Sequence, residues 1–139
     1  MATTNATISI ASDIMSYPTS INKTMTMKKL QSSDGIEETS GLRTQKFTSD
    51  SATVVIEEDE FTNTKASKVY MRNTSTDKAH YFYVAKNASA AASDTAAVTI
   101  GRLHGQDWML IPYLGDVNIT VASSSADTVY LEFMVFAEN

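Results

Sequence analysis

In several runs of this chain apolar residues recur at every second position, the period of a strand. The clearest run is "TVYLEFMVFAEN" (128–139). Val129, Leu131, Phe133 and Val135 fall on one side of an extended chain, and Tyr130, Met134 and Phe136 share the other with Glu132. Side chains alternate across a strand, so a run apolar on both sides predicts a central strand covered on both faces. "VNITVAS" (117–123) likewise places Val117, Ile119 and Val121 inward. No 12-residue window sustains the i, i+3, i+4, i+7 pattern of an amphipathic helix. Thr and Ser together number thirty-four against eleven Lys plus Arg, a balance that favours strands over charged helices.

The rest of the chain divides at turn chemistry. "TISIASDIMS" (7–16) alternates Ile8 and Ile10 with polar residues, and Pro18 then breaks the run. "INKTMTMKKL" (21–30) is a second extended piece, with Ile21, Met25 and Met27 as its apolar positions. Residues 1–30, whose apolar positions are diluted by Thr, Ser and Asn, are expected to form an arm or edge strands ordered by a neighbour. Asp34-Gly35 marks a loop over 31–41. "ATVVIEE" (52–58) is a short strand ending in acid. "SKVYMRN" (67–73), "STDK" (75–78) and "AHYFYVAK" (79–86) read together as a hairpin with a short polar connection. The small, polar stretch 87–97 is expected to be a loop. "AVTIGRL" and "DWMLIPY" are strands split near Gly105, and Trp108, Leu110 and Pro112 should face away from Met109, Ile111 and Tyr113. Eight to ten strands at this spacing predict an all-β, antiparallel sandwich or barrel, built as a single domain over 1–139.

Composition narrows the function. The chain has no Cys, which removes disulfides and thiolate metal sites. A net charge of −5 disfavours a nucleic-acid partner. No stretch approaches the ~18 apolar residues of a membrane span, so no membrane partner is expected. The opening "MATTNATISIASDIMSYPT" has no basic region and no long apolar run, so no secretory signal is expected. Five of the seven Asn lie in Asn-x-Ser/Thr, a by-product of the Ser/Thr richness.

Candidate chemistry is sparse. The two His, His80 and His104, could pair with Asp107 and a Ser nucleophile, but no Gly-x-Ser-x-Gly elbow is present. His80 opens an aromatic strand, an ordinary place for a half-exposed structural His. The run Glu57-Glu58-Asp59-Glu60 lacks the Gly and spaced ligands of a Ca²⁺ loop and reads as a solvated strand end. No catalytic residue, metal ligand or cofactor site is expected. Tyr81, Tyr83, Trp108, Tyr113 and Tyr130 are the aromatics able to stack on a sugar ring, and their ordinary place is a core or a subunit interface. Trp108 beside Asp107, with Tyr113, is the best glycan or interface set. Trp108 is expected to be buried in the core or in a subunit seam, and its loss to cost ~3–5 kcal/mol.

Three segments carry a family resemblance: "KVYMRNTS" (68–75), "IGRLHGQDWMLIPYLGDVNITV" (100–121) and "TVYLEFMVF" (128–136). In this succession of strands and turns the chain resembles small structural proteins of tailed bacteriophages over residues 65–137. The N-terminal third carries no such resemblance. The likeness implies a β-sandwich or jelly-roll-like subunit, and the first thirty residues, rich in Thr, Ser and Asn, suit an extended arm that orders on assembly. It implies a virion protein, made in the host bacterial cytoplasm, that decorates or cements a capsid and acts by surface complementarity rather than catalysis. Its partners would be further copies of itself, most simply a trimer at a local three-fold, and the major capsid or other virion proteins. The alternative is a tail or fibre component that binds a host-surface glycan.

Overall fold

The computed structural model describes residues 3–13, 19–28, 36, 38–58, 60, 67–86 and 98–138. They form eleven strands and no helix. Two of them, β1 (Thr4–Ser12) and β2 (Thr19–Met27), pair only with each other, as an antiparallel hairpin. The others are β3 (Glu38–Thr39), β4 (Arg43–Phe47), β5 (Thr53–Ile56), β6 (Ser67–Asn73), β7 (Tyr81–Lys86), β8 (Thr99–His104), β9 (Trp108–Tyr113), β10 (Ile119–Ser123) and β11 (Val129–Ala137). One antiparallel sheet runs β5-β10-β7-β8. The second runs β3-β11-β6-β9, with β4 sharing the β3 edge of β11.

β3 and β4 are two halves of one interrupted edge strand. Between them Ser40 bonds Val135 twice: its N–H donates to the Val135 carbonyl (3.1 Å) and its Oγ accepts from the Val135 N–H (2.9 Å). Gly41 then turns through φ 68°, a left-handed conformation open to glycine at little cost.

The two sheets face each other across one apolar layer. Val69 and Met71 of β6, Leu131, Phe133 and Val135 of β11, Phe82 and Val84 of β7 and Ile119 and Val121 of β10 are all buried in it. The Phe47 and Phe82 rings meet across the layer at 5.0 Å between centroids. This is the alternation expected for β11, whose odd-numbered side is buried throughout. Its other side is only partly covered, so the expected second cover is incomplete: Met134 and Phe136 are half-buried and Tyr130 is exposed. Val117, expected inward with Ile119 and Val121, is half-buried and lies just outside β10.

The expected 67–86 hairpin does not form. β6 pairs with β11 and β9, whereas β7 pairs with β10 and β8, so the connection between them crosses from one sheet to the other. Both strands still turn their apolar residues into the same core, but from opposite sides of it. A short polar connection serves either geometry, and the choice falls to pairings distant in sequence. The pairs β4–β11, β5–β10, β6–β9 and β7–β8 are nested one inside the next, as in a long two-stranded ribbon wound upon itself. The expected loop 87–97 lies outside the described residues, as does most of the loop 31–41.

Asn73 anchors the corner where this winding turns. It is fully buried at the end of β6, and its side-chain NH₂ donates to the carbonyls of His80 and Leu103, both at 3.0 Å. Its side-chain oxygen accepts from the Ser75 N–H at 3.0 Å. Its backbone bonds Asp107 and Gln106, also at 3.0 Å. One side chain thus ties the β6–β7 crossing to the β8–β9 crossing, and a buried amide whose bonds are all made carries no desolvation penalty of the unsatisfied kind.

Candidate functional site

The β8–β9 crossing is a tight turn from His104 to Asp107, closed by the Asp107 N–H on the His104 carbonyl at 2.9 Å. The left-handed position in it belongs to Gln106 (φ 69°) and not to Gly105. Gly105 is needed for space: a Cβ there would lie 2.2 Å from the Asp77 carbonyl oxygen and 2.8 Å from that of Ser75. Gln106 holds its conformation by donating its side-chain amide to the Thr74 (3.1 Å) and Ser75 (2.9 Å) carbonyls.

Asp107 is fully engaged in this corner. Its Oδ1 accepts from the Lys78 ammonium at 2.6 Å and its Oδ2 from the His104 N–H at 3.2 Å. The bond from Lys78 holds its carboxyl below the usual carboxylate range. The His104 ring bonds the Lys78 carbonyl through Nδ1 (2.9 Å), and packs on Tyr81. His80 Nε2 lies 3.4 Å from Asp127 and 4.0 Å from Asp77. Ser75 Oγ is 3.5 Å from His80 Nδ1 but is also spent on its own turn, accepting from the Asp77 N–H at 3.1 Å. This cluster ties two loops together, 74–80 and 124–128. No group of three or more His, Asp or Glu suited to a metal ion occurs among the described residues. Of the acidic run, Glu57 and Glu58 are exposed, and Glu60 forms an ion pair with Arg43 of β4.

The best glycan set of the sequence is not brought together. Tyr113 points into the core and donates its hydroxyl to the Val117 carbonyl at 2.6 Å. Trp108 lies on the opposite face of β9, as its alternation predicts, and is 51 % exposed. The expected burial of Trp108 in the core is therefore corrected. It begins β9, an edge strand, on the face turned away from the opposing sheet. Tyr81 and Tyr83 do associate, on the outer face of β7, with hydroxyls 3.1 Å apart. The Arg102 guanidinium sits 5.0 and 5.3 Å from their ring centroids and covers them.

An apolar surface lies elsewhere. On the outer face of the β11–β6–β9 sheet, Tyr70 lies opposite both Leu110 and Met134, and Arg72 opposite Trp108. Arg72 also reaches Glu132 at 3.9 Å. Over this face stands the β1–β2 hairpin, whose register sorts its residues by polarity. The pairs Asn5–Thr26, Thr7–Thr24 and Ser9–Asn22 share one face, with the Thr7 and Thr24 hydroxyls 2.9 Å apart and Thr26 donating to Asn5 at 2.8 Å. The pairs Ala6–Met25, Ile8–Lys23 and Ile10–Ile21 share the other. Met27, at the hairpin base, is buried, while Ile8, Ile10, Ile21 and Met25 are exposed. Hairpin and sheet enclose a cleft of about 950 Å³, lined chiefly by Met25, Met27, Tyr70, Trp108, Leu110 and Phe136.

The sequence signalled part of this surface, through the two apolar sides of 128–136. It did not signal Tyr70, Leu110 and Phe136 as one patch, because that patch exists only in the register of three strands distant in sequence. No helix of the structure is long and apolar enough to cross a membrane among the described residues. No family model matches this chain, and no curated protein or solved structure matches it either.

Proposed function

We propose that this protein is a virion structural subunit of a tailed bacteriophage, a capsid decoration or cement protein that acts by surface complementarity and performs no catalysis. In this reading it is made in the host bacterial cytoplasm, assembles as a homo-oligomer, most simply a trimer, and attaches to the major capsid or another virion protein. The observation that carries the reading is the apolar outer face of the β11–β6–β9 sheet, with the amphipathic hairpin above it. A single chain leaves both partly uncovered, and contiguous exposed apolar surface of this kind marks interaction sites. The finer fold assignment belongs to the same proposal. The nested pairs β4–β11 to β7–β8 support an eight-stranded jelly roll, a wound ribbon common in viral shells. The hairpin then corresponds to the N-terminal arm.

Mass spectrometry of purified particles tests the proposal. The protein should be present in stoichiometric amount, and its absence from particles would remove the reading. A second reading, a tail or fibre component that binds a host-surface glycan, is favoured by one observation, the half-exposed indole of Trp108.

A further inference from the structure

The edge of a sheet presents backbone N–H and C=O groups to any strand that comes near, and proteins blunt such edges with bulges, prolines, charges and breaks. Among the described residues, every sheet edge but one carries such a device. β5 and β8 each have a bulge, at Val55 and at Ile100, where the register with β10 and with β7 slips by a residue. β9 contains Pro112, which has no N–H to donate. The β3–β4 edge is broken at Gly41. β2 holds Lys23 at its middle. The exception is β1, Thr4–Ser12. It pairs residue for residue with β2 and contains no charge, no Pro, no Gly and no bulge. Thr7–Ala11 are all exposed, so both faces of this stretch meet water.

A two-stranded hairpin is marginal alone and gains from a third strand. Short uncharged segments rich in β-branched residues pair readily with identical segments. The pattern of β1 suits its own copy. A strand that pairs antiparallel with its copy does so about a two-fold axis normal to the sheet. Directly opposed residues share a face, so the axis must set one residue against itself. The middle residue of β1 is Ile8. About it Asn5 meets Ala11, Ala6 meets Ile10, Thr7 meets Ser9 and Ile8 meets Ile8, so apolar opposes apolar and hydroxyl opposes hydroxyl in all but the outermost pair. The apolar side of one hairpin then continues into that of the other. β2 has the opposite property. Its middle residue, Lys23, would meet its own copy, and like charges directly opposed are unfavourable.

We propose that β1 of one copy pairs antiparallel with β1 of a second copy over Asn5–Ala11, with Ile8 at the two-fold axis, so that two hairpins form one four-stranded sheet. This deepens the homo-oligomer part of the function proposed above and rests on it. The contact joins copies two by two, and joins neighbouring trimers where the bodies are trimeric.

The test uses the full chain, which has no native Cys. Ile8→Cys protein should oxidise to a disulfide-linked dimer, because the two thiols face each other across the axis. Ile10→Cys protein should not, because each thiol then lies opposite Ala6 of the other copy; mixed with Ala6→Cys protein, it should give the mixed dimer. Ile10→Cys dimers that form as readily as Ile8→Cys dimers would overturn the proposal. Ile8→Glu keeps the hairpin, since the new carboxylate faces Lys23 of its own chain, which circular dichroism checks. It also sets two carboxylates against each other across the axis, so self-association measured by sedimentation should weaken about tenfold. Mixing with Ile8→Lys protein should restore association, because opposite charges then meet across the axis. Ile8→Glu protein that associates like the native chain would place the interface elsewhere and overturn the proposal. A native chain that stays monomeric at all concentrations would overturn it too. The virion reading is tested on particles and this contact on the isolated protein, so each can fail without the other.

Discussion

Asn73 shows how much one side chain carries in this molecule. Its amide joins the carbonyls of His80 and Leu103 and the N–H of Ser75, in a place water does not reach. Asn73→Ala leaves those three groups without a partner and should cost about 3 kcal/mol, measured by urea denaturation. Trp108→Ala should cost far less, about 1 kcal/mol for the isolated chain, because the indole lies half exposed on the outer face of β9. The lone Trp read from the sequence as the costly loss, whereas Asn73 stood there only as the last residue of the strand 67–73. Asp107 adds a pH dependence. Its carboxyl is held low by Lys78, so its contribution is complete above the unfolded value, near pH 4, and is lost as pH falls through the lower folded value. The pair is solvent-exposed, which limits the contribution to about 0.5 kcal/mol. Asp107→Asn should flatten the acid limb of the stability curve by that amount and leave the curve above about pH 5 parallel to the native one.

At the scale of elements, local pattern placed the strands and distant pairing arranged them. β8, β9, β10 and β11 lie where alternation and turn residues put them, because each strand records its own two faces in its own sequence. The partner of β6 is not recorded there. Val69 and Met71 would be equally well buried in a hairpin with β7 or in the observed sheet with β9 and β11. What decides is the corner, where the close approach at Gly105 and the buried Asn73 join two crossings that are separated in the chain. Gly105→Ala is therefore a test of the corner itself. The added methyl meets two backbone carbonyls rather than a movable side chain, and the variant should lose about 3 kcal/mol. By contrast, Gln106→Gly relieves the left-handed residue but gives up two bonds to the β6–β7 crossing, so it should be close to neutral. If Gly105→Ala is as stable as the native chain, the corner is looser than its contacts indicate.

For the whole molecule, the nesting of strands and the partly covered outer face set the behaviour. Every main pairing except β7–β8 and β1–β2 joins distant segments, as Arg43 joins Phe133, so loop-closure entropy is spent before the core rewards it. Refolding should accordingly take milliseconds to seconds, the range of wound β structures. The same winding leaves Trp108 outside, on the face that either a neighbouring subunit or a sugar could cover, and this separates the two functional readings. A subunit contact buries the indole in every solution concentrated enough for assembly, whatever else is present. A glycan site leaves it in water until the glycan arrives. On the proposed subunit reading, the protein at assembling concentration should show blue-shifted emission that acrylamide quenches poorly, and host-surface polysaccharide should leave it unchanged. Dilution below the assembly range should shift the emission to the red and open it to quenching. Emission that is red-shifted and quenchable at every concentration, and that moves to the blue only when polysaccharide is added, would assign this face to a tail or fibre adhesin instead.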